Sequence, residues 1–113
     1  MRALLDEPLP RQLARAVPDH GVTTVPRLGW TGLRTGLLLG RMVEDGIDVL
    51  VTADHNAEHH QNLARFAVGL VVFVSPSNSP DDVVPLGPRI AEAVSMVQPG
   101  RAVHVAANPP PRR

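Results

Sequence analysis

Two acidic segments command attention because each follows a short apolar run. Asp6 and Glu7 come directly after Ala3-Leu4-Leu5, and Asp54 lies in Thr52-Ala53-Asp54-His55-Asn56, which follows Val49-Leu50-Val51. Runs of this length and composition read as strands, so both acidic segments are expected at strand ends. Carboxylates held close together repel, by roughly 4 kcal/mol at 4 Å for an effective dielectric of 20. A bound cation removes that repulsion, and ligand sets made only of oxygen select a hard ion, here Mg2+ or Mn2+. Asp6 and Asp54 are therefore the candidate metal ligands and catalytic residues. Each is also a natural helix N-cap, a role worth about 1 kcal/mol.

Whether these acids meet depends on the elements that carry them. Five β-type runs punctuate the chain: Ala3-Leu4-Leu5, Val22 to Val25, Val49 to Thr52, Val68 to Val74 and Val103 to Val105. Several are nearly continuous in Val and Leu instead of alternating, the pattern of strands covered on both faces. Helical spacing fills the gaps. Leu9, Leu13, Ala16 and Val17 give one apolar stripe, with Pro8 and Pro10 at its start and Pro18 and Gly21 beyond its end. A second helix is predicted over 36–44, with Leu37, Leu38, Met42 and Val43 turned inward and Gly46 as terminator. A third is predicted over 57–66. A fourth covers 82–97, where Val83, Leu86, Ile90, Ala93, Val94 and Val97 recur at helical spacing.

Alternating strands and helices with short connections imply an α/β fold. The expected form is a doubly wound, mainly parallel five-stranded sheet, in the order 2-1-3-4-5, with helices on both faces. In such sheets ligands bind beyond the carboxyl ends of the strands, where successive connections leave to opposite faces. For this order that point lies between strands one and three, where Asp6 and Asp54 stand. At 113 residues one domain is expected, over 1–106, with Asn108-Pro109-Pro110-Pro111-Arg112-Arg113 in a loose proline-rich tail.

Composition narrows the chemistry further. The chain has no cysteine, which excludes disulfides, thiolate metal sites and a cysteine nucleophile. Its net charge is zero, with eleven basic residues, all arginine, against eleven acidic ones. That balance speaks against a general nucleic-acid coat but not against a protein that grips a few phosphates. No apolar run is long enough to span a bilayer. The opening Met1-Arg2-Ala3-Leu4-Leu5-Asp6 lacks a signal-peptide pattern, so a cytoplasmic location is expected. Arg11, Arg15 and Arg34 could clamp phosphates, or simply wet a helix face. Trp30, the single tryptophan, could stack on a base, though packing against the sheet is the simpler role. His55-Asn56-Ala57-Glu58-His59 matches the inverted zinc-peptidase pattern, but His55 directly follows a strand-edge acid and is expected to precede the helix. With no glycine-rich loop after strand one and no lysine, a nucleotide-binding reading has little support.

Taken together, Leu5-Asp6-Glu7-Pro8-Leu9-Pro10, Leu28-Gly29-Trp30-Thr31-Gly32-Leu33 with Gly36-Leu37-Leu38, and Val51-Thr52-Ala53-Asp54-His55-Asn56 with Gln61-Asn62-Leu63 resemble the small PIN-like domains. These are related to VapC-type toxin ribonucleases, and the likeness runs from about residue 2 to residue 105. The resemblance implies a metal-dependent endoribonuclease, often the toxin half of a toxin–antitoxin pair, with an RNA substrate, a cognate antitoxin and a possible homodimer. Carried over by position, Asp6 and Asp54 would be metal-binding acids. Glu7 and Asn56 would flank the site, with Glu7 a possible further ligand, and the Thr52 hydroxyl would orient Asp54. Leu37 departs from the pattern, for the family usually carries an acid near this position. That departure implies the alternative of a catalytically degenerate domain acting as a protein- or RNA-binding module.

Overall fold

The computed structural model describes residues 1–17, 20–54, 63–75 and 77–106. Its sheet has five strands: β1 (Arg2–Leu5), β2 (Gly21–Thr24), β3 (Val49–Thr52), β4 (Gly69–Val74) and β5 (Ala102–Ala106). All pair in parallel, in the order β2-β1-β3-β4-β5. The helices are α1 (Leu13–Ala16), α2 (Thr35–Asp45), α3 (Leu63–Phe66), α4 (Pro80–Val83) and α5 (Gly87–Met96). The expected α/β class, strand order and two-sided helical cover are all present.

Side-chain alternation explains the two covered faces. Successive strand residues point to opposite sides. Leu5, Val51, Val71 and Phe73 thus enter one core with Leu9, Leu13 and Val17 around α1 and with Ile90 and Val94 of α5. Leu4, Leu50, Leu70 and Val72 enter the other with Leu38, Leu39 and Met42 of α2. Every residue of β3 is buried, as are the first five of β4. The connection after β1 therefore leaves to the α1 face. Phe66, at the end of the connection after β3, packs against the opposite core. That divergence makes the tips of β1 and β3 the crevice of the sheet.

The helices depart from expectation in three places, each with a local cause. The first is shorter than the apolar stripe suggested. Before α1 the chain runs through three-residue turns, Leu9 N–H to Asp6 C=O at 3.1 Å and Leu13 N–H to Pro10 C=O at 3.1 Å. Pro8 and Pro10 lack the N–H groups a longer helix would use, yet Leu9, Leu13 and Val17 are buried as expected. In α2 the inward face is shifted: Leu37 and Val43 are exposed, at 63% and 51%, while Leu39 is fully buried. Leu38, Leu39 and Met42 form the buried stripe, and Gly46 ends the helix at φ +72°. The fourth predicted helix is broken into α4, a tight 3-10 turn over Val84–Leu86, and α5. Pro85 and Pro88 interrupt it, but all six predicted inward residues remain buried. Of the third predicted helix only Leu63–Phe66 falls within the described residues, and the tail over 107–113 lies outside them.

The corrected phase of α2 makes a direct test. Leu39→Ala should lower unfolding stability by about 2–5 kcal/mol, the range for emptying a buried leucine site. Leu37→Ala should stay within about 0.5 kcal/mol of wild type. Urea titrations of the two variants check the difference, and a larger loss at Leu37 than at Leu39 would put the helix in the phase expected from sequence.

Candidate functional site

The site begins with the strand ladder. Beyond β1, the Asp6 N–H donates to Val51 C=O at 2.9 Å, so Asp6 is fixed one residue past the strand at the tip of β3. Its carboxylate is held from two sides. Oδ1 accepts from the Glu7 N–H at 2.8 Å, and Oδ2 accepts from the Thr52 hydroxyl at 2.7 Å. Thr52 is fully buried. A buried hydroxyl needs partners, and this one has two, because the Asp54 N–H donates to its oxygen at 3.0 Å.

A single hydroxyl therefore ties the side chain of Asp6 to the main chain of Asp54. The resemblance implies that the Thr52 hydroxyl orients Asp54. The structure adds that it grips the carboxylate of Asp6, while it holds Asp54 through the backbone. Asp6 is half-buried and Asp54 exposed. Each oxygen of Asp6 carries one of these bonds, and an ionised carboxylate offers about four acceptor positions, so coordination capacity remains on both.

Glu7 is tied across the crevice mouth, its Oε1 accepting from the Gly32 N–H at 2.9 Å. Gly32 has φ +87°, in the left-handed region that glycine enters without strain. This link fixes the loop between β2 and α2 to the end of β1. It spans 25 positions, and no local pattern announces it. In the same loop Trp30 is half-buried and packs with Leu28 and Leu33 against the α2-side core, which is the packing role expected of it.

Other predicted site residues divide. Asn56, with the His55 to His59 motif, lies outside the described residues. Arg34 is exposed at the N-cap of α2. Arg11 and Arg15 are both exposed, but only Arg15 lies on α1, Arg11 belonging to the turn before it. They share a groove of about 1040 Å³ with Arg27, between the α1 segment and β2. Sequence reasoning passed over Arg27, which sits in a 3-10 turn after β2 and reaches the groove only through the fold. Beyond β4, the Ser77 hydroxyl donates to Asp82 Oδ2 at 2.6 Å. Among the described residues, no three of His, Asp and Glu cluster closely enough to hold a metal ion.

No protein-family model, curated protein or solved structure matches this chain. Among the described residues no helix is long and apolar enough to cross a membrane. The fold is thus a three-layer α/β sandwich, and the reading of its site rests on the geometry at the tips of β1 and β3.

The Thr52 hydroxyl is the centre of that geometry. Thr52→Val keeps the shape but strips the charged Asp6 carboxylate and the Asp54 N–H of their partner, and should cost about 1.5–3 kcal/mol. Thr52→Ser keeps the hydroxyl and should lose only about 1 kcal/mol for the missing methyl group. Denaturant unfolding of both variants gives the comparison; a valine form as stable as the serine form would remove the hydroxyl from its central place.

Proposed function

We propose that the crevice between β1 and β3 is a divalent-cation site, and that the chain is a PIN-like, metal-dependent endoribonuclease, the toxin component of a toxin–antitoxin module. The observation that carries this reading is the Thr52 hydroxyl, which bonds the Asp6 carboxylate and the main-chain N–H of Asp54. Asp6 and Asp54 follow strands whose tips lie where doubly wound sheets bind ligands, which supports the reading. The donor set suits Mg2+ or Mn2+: such ions are held by one or two carboxylates, with water and substrate phosphate completing the shell. Asp6 and Asp54 would hold the ion, while the Glu7 carboxylate accepts from the Gly32 N–H.

A cation there would supply a lowered pKa for bound water and charge stabilisation for a phosphodiester transition state. The chain's own residues do the rest. Thr52 fixes the Asp6 carboxylate by donating a hydrogen bond to Oδ2, which would keep that oxygen from rotating away on ion binding. The Glu7 N–H restrains Oδ1 in the same way. Glu7, drawn toward Gly32, keeps a further negative charge at the crevice mouth. The contacts to Asp6 order its carboxylate before binding, which would lower the entropy cost of assembling the site.

A second reading has its own support. Leu37 stands on α2 as an exposed leucine where the resembling family usually carries an acid, and no third acid joins the pair among the described residues. Under that reading the chain is a catalytically degenerate domain that binds a protein or RNA.

Cleavage assays separate the two. Single-stranded RNA incubated with Mg2+ or Mn2+ should be cut by the wild-type protein, and Asp6→Asn or Asp54→Asn should slow cutting about 100-fold or more. Thr52→Val should slow it roughly 10–100-fold, the range for groups that orient a metal ligand. Absence of cleavage with either metal, joined with Asp6→Asn being as toxic to cells as wild type, rules out the enzyme. Metal-dependent cleavage abolished by Asp54→Asn rules out the degenerate module.

A further inference from the structure

The groove beside β2 is independent of the crevice and has a chemistry of its own. Among the described residues β2 is an edge strand, paired only with β1. The Gly21 N–H donates to Met1 C=O and the Val25 N–H to Leu5 C=O. In a parallel ladder, alternate residues turn both main-chain groups to the same side. Gly21, Thr23 and Val25 therefore face β1, while Val22 and Thr24 turn their N–H and C=O groups outward. Both line the groove, so this outward row forms part of its floor.

Arginine supplies the groove's charge. Arg11, Arg15 and Arg27 all line it, and among the described residues no carboxylate does. Among the described residues none of the three guanidinium groups has a carboxylate partner. A row of open backbone donors and acceptors beneath three cations is complementary to an extended chain with acidic side chains. On an added strand every second side chain points to the α1 face, the face that carries Arg11 and Arg15. Single-stranded nucleic acid would meet the cations but not the rest, because its bases seek aromatic platforms and the groove lining contains none.

We propose that this groove binds an acidic, extended segment of a partner protein, which adds as a strand to the outer edge of β2. Main-chain bonds to Val22 and Thr24 give the docking, and the three arginines select for acidic side chains, the division of labour usual in strand addition. This surface does not require the crevice to be catalytic, so it stands or falls apart from the ribonuclease reading.

The test uses the full chain and fluorescence anisotropy with a capped, labelled peptide of alternating glutamate and threonine. The same peptide with lysine in place of glutamate is the control, and oligo-uridine RNA is the competitor. The glutamate peptide should bind and the lysine peptide should not. Joint replacement Arg11→Ala, Arg15→Ala and Arg27→Ala should weaken binding about tenfold, as for loss of exposed charge pairs. Val22→Pro removes an outward donor without touching the β1 ladder, a position where an edge strand tolerates proline. It should abolish peptide binding while the protein still unfolds cooperatively. If that variant does not fold, hydrogen exchange on wild type takes its place: the Val22 and Thr24 amides should exchange more than about tenfold slower with peptide bound. A glutamate peptide that fails to bind would leave the arginines as edge protection and overturn the proposal. So would RNA that displaces the peptide and binds equally well to Val22→Pro, or amides that gain no protection.

Discussion

A buried hydroxyl holds the tips of β1 and β3 together. Thr52 is the last residue of β3, fully enclosed, and its oxygen can be satisfied there only by groups that reach it from the strand tips. It donates to Asp6 and accepts from Asp54. An unmade bond at such a depth is expensive, whereas a hydrogen bond to an ionised group is among the stronger ones available to a protein. The positions of the two acidic segments are thus a consequence of core packing. β1 and β3 must lie side by side to bury Leu4, Leu5, Leu50 and Val51, and once they do, the hydroxyl and the carboxylate arrive within reach.

The segment after β1 carries more than one duty. Leu9, Leu13 and Val17 anchor it against the sheet. Asp6 and Glu7 stand at its start, beside the crevice, and Arg11 and Arg15 lie further along, beside the β2 edge. Within a chain of zero net charge, Asp6, Glu7 and Asp54 thus lie by the tips of β1 and β3, and Arg11, Arg15 and Arg27 along the groove next to β2. Total charge carries no trace of that arrangement. The proposed cation site and the proposed strand-addition groove would thus both be positioned by one anchored segment.

Much of the fold was legible because strands buried on two faces leave an unmistakable record. Val49-Leu50-Val51 and Leu70-Val71-Val72-Phe73 are apolar at every position, and the connection lengths allow few topologies besides the one found. Thr52, Asp6 and Asp54 were legible for the same reason, since a strand's end marks its tip. Helix phase was harder. The run Leu37-Leu38-Leu39 offers three similar side chains, and only contact with Leu4 and Leu50 decides that Leu37 turns outward and Leu39 inward. Proline set the remaining boundaries: Pro8 and Pro10 shortened α1, while Pro85 and Pro88 divided the last predicted helix without disturbing its apolar face. The Glu7 link to Gly32 and the place of Arg27 in the groove depend on residues brought together by the fold, and no spacing in the chain encodes either.

The most direct measurement is an anomalous difference map from a crystal soaked in Mn2+, because it tests the meeting of Asp6 and Asp54 without relying on any assay of turnover. A shared ion requires one peak at the tips of β1 and β3, within coordination distance of a carboxylate oxygen of each aspartate, with Asp6 Oδ2 still bonded to the Thr52 hydroxyl. A map with no peak there at saturating manganese, or with a peak on one aspartate while the other points away, contradicts it.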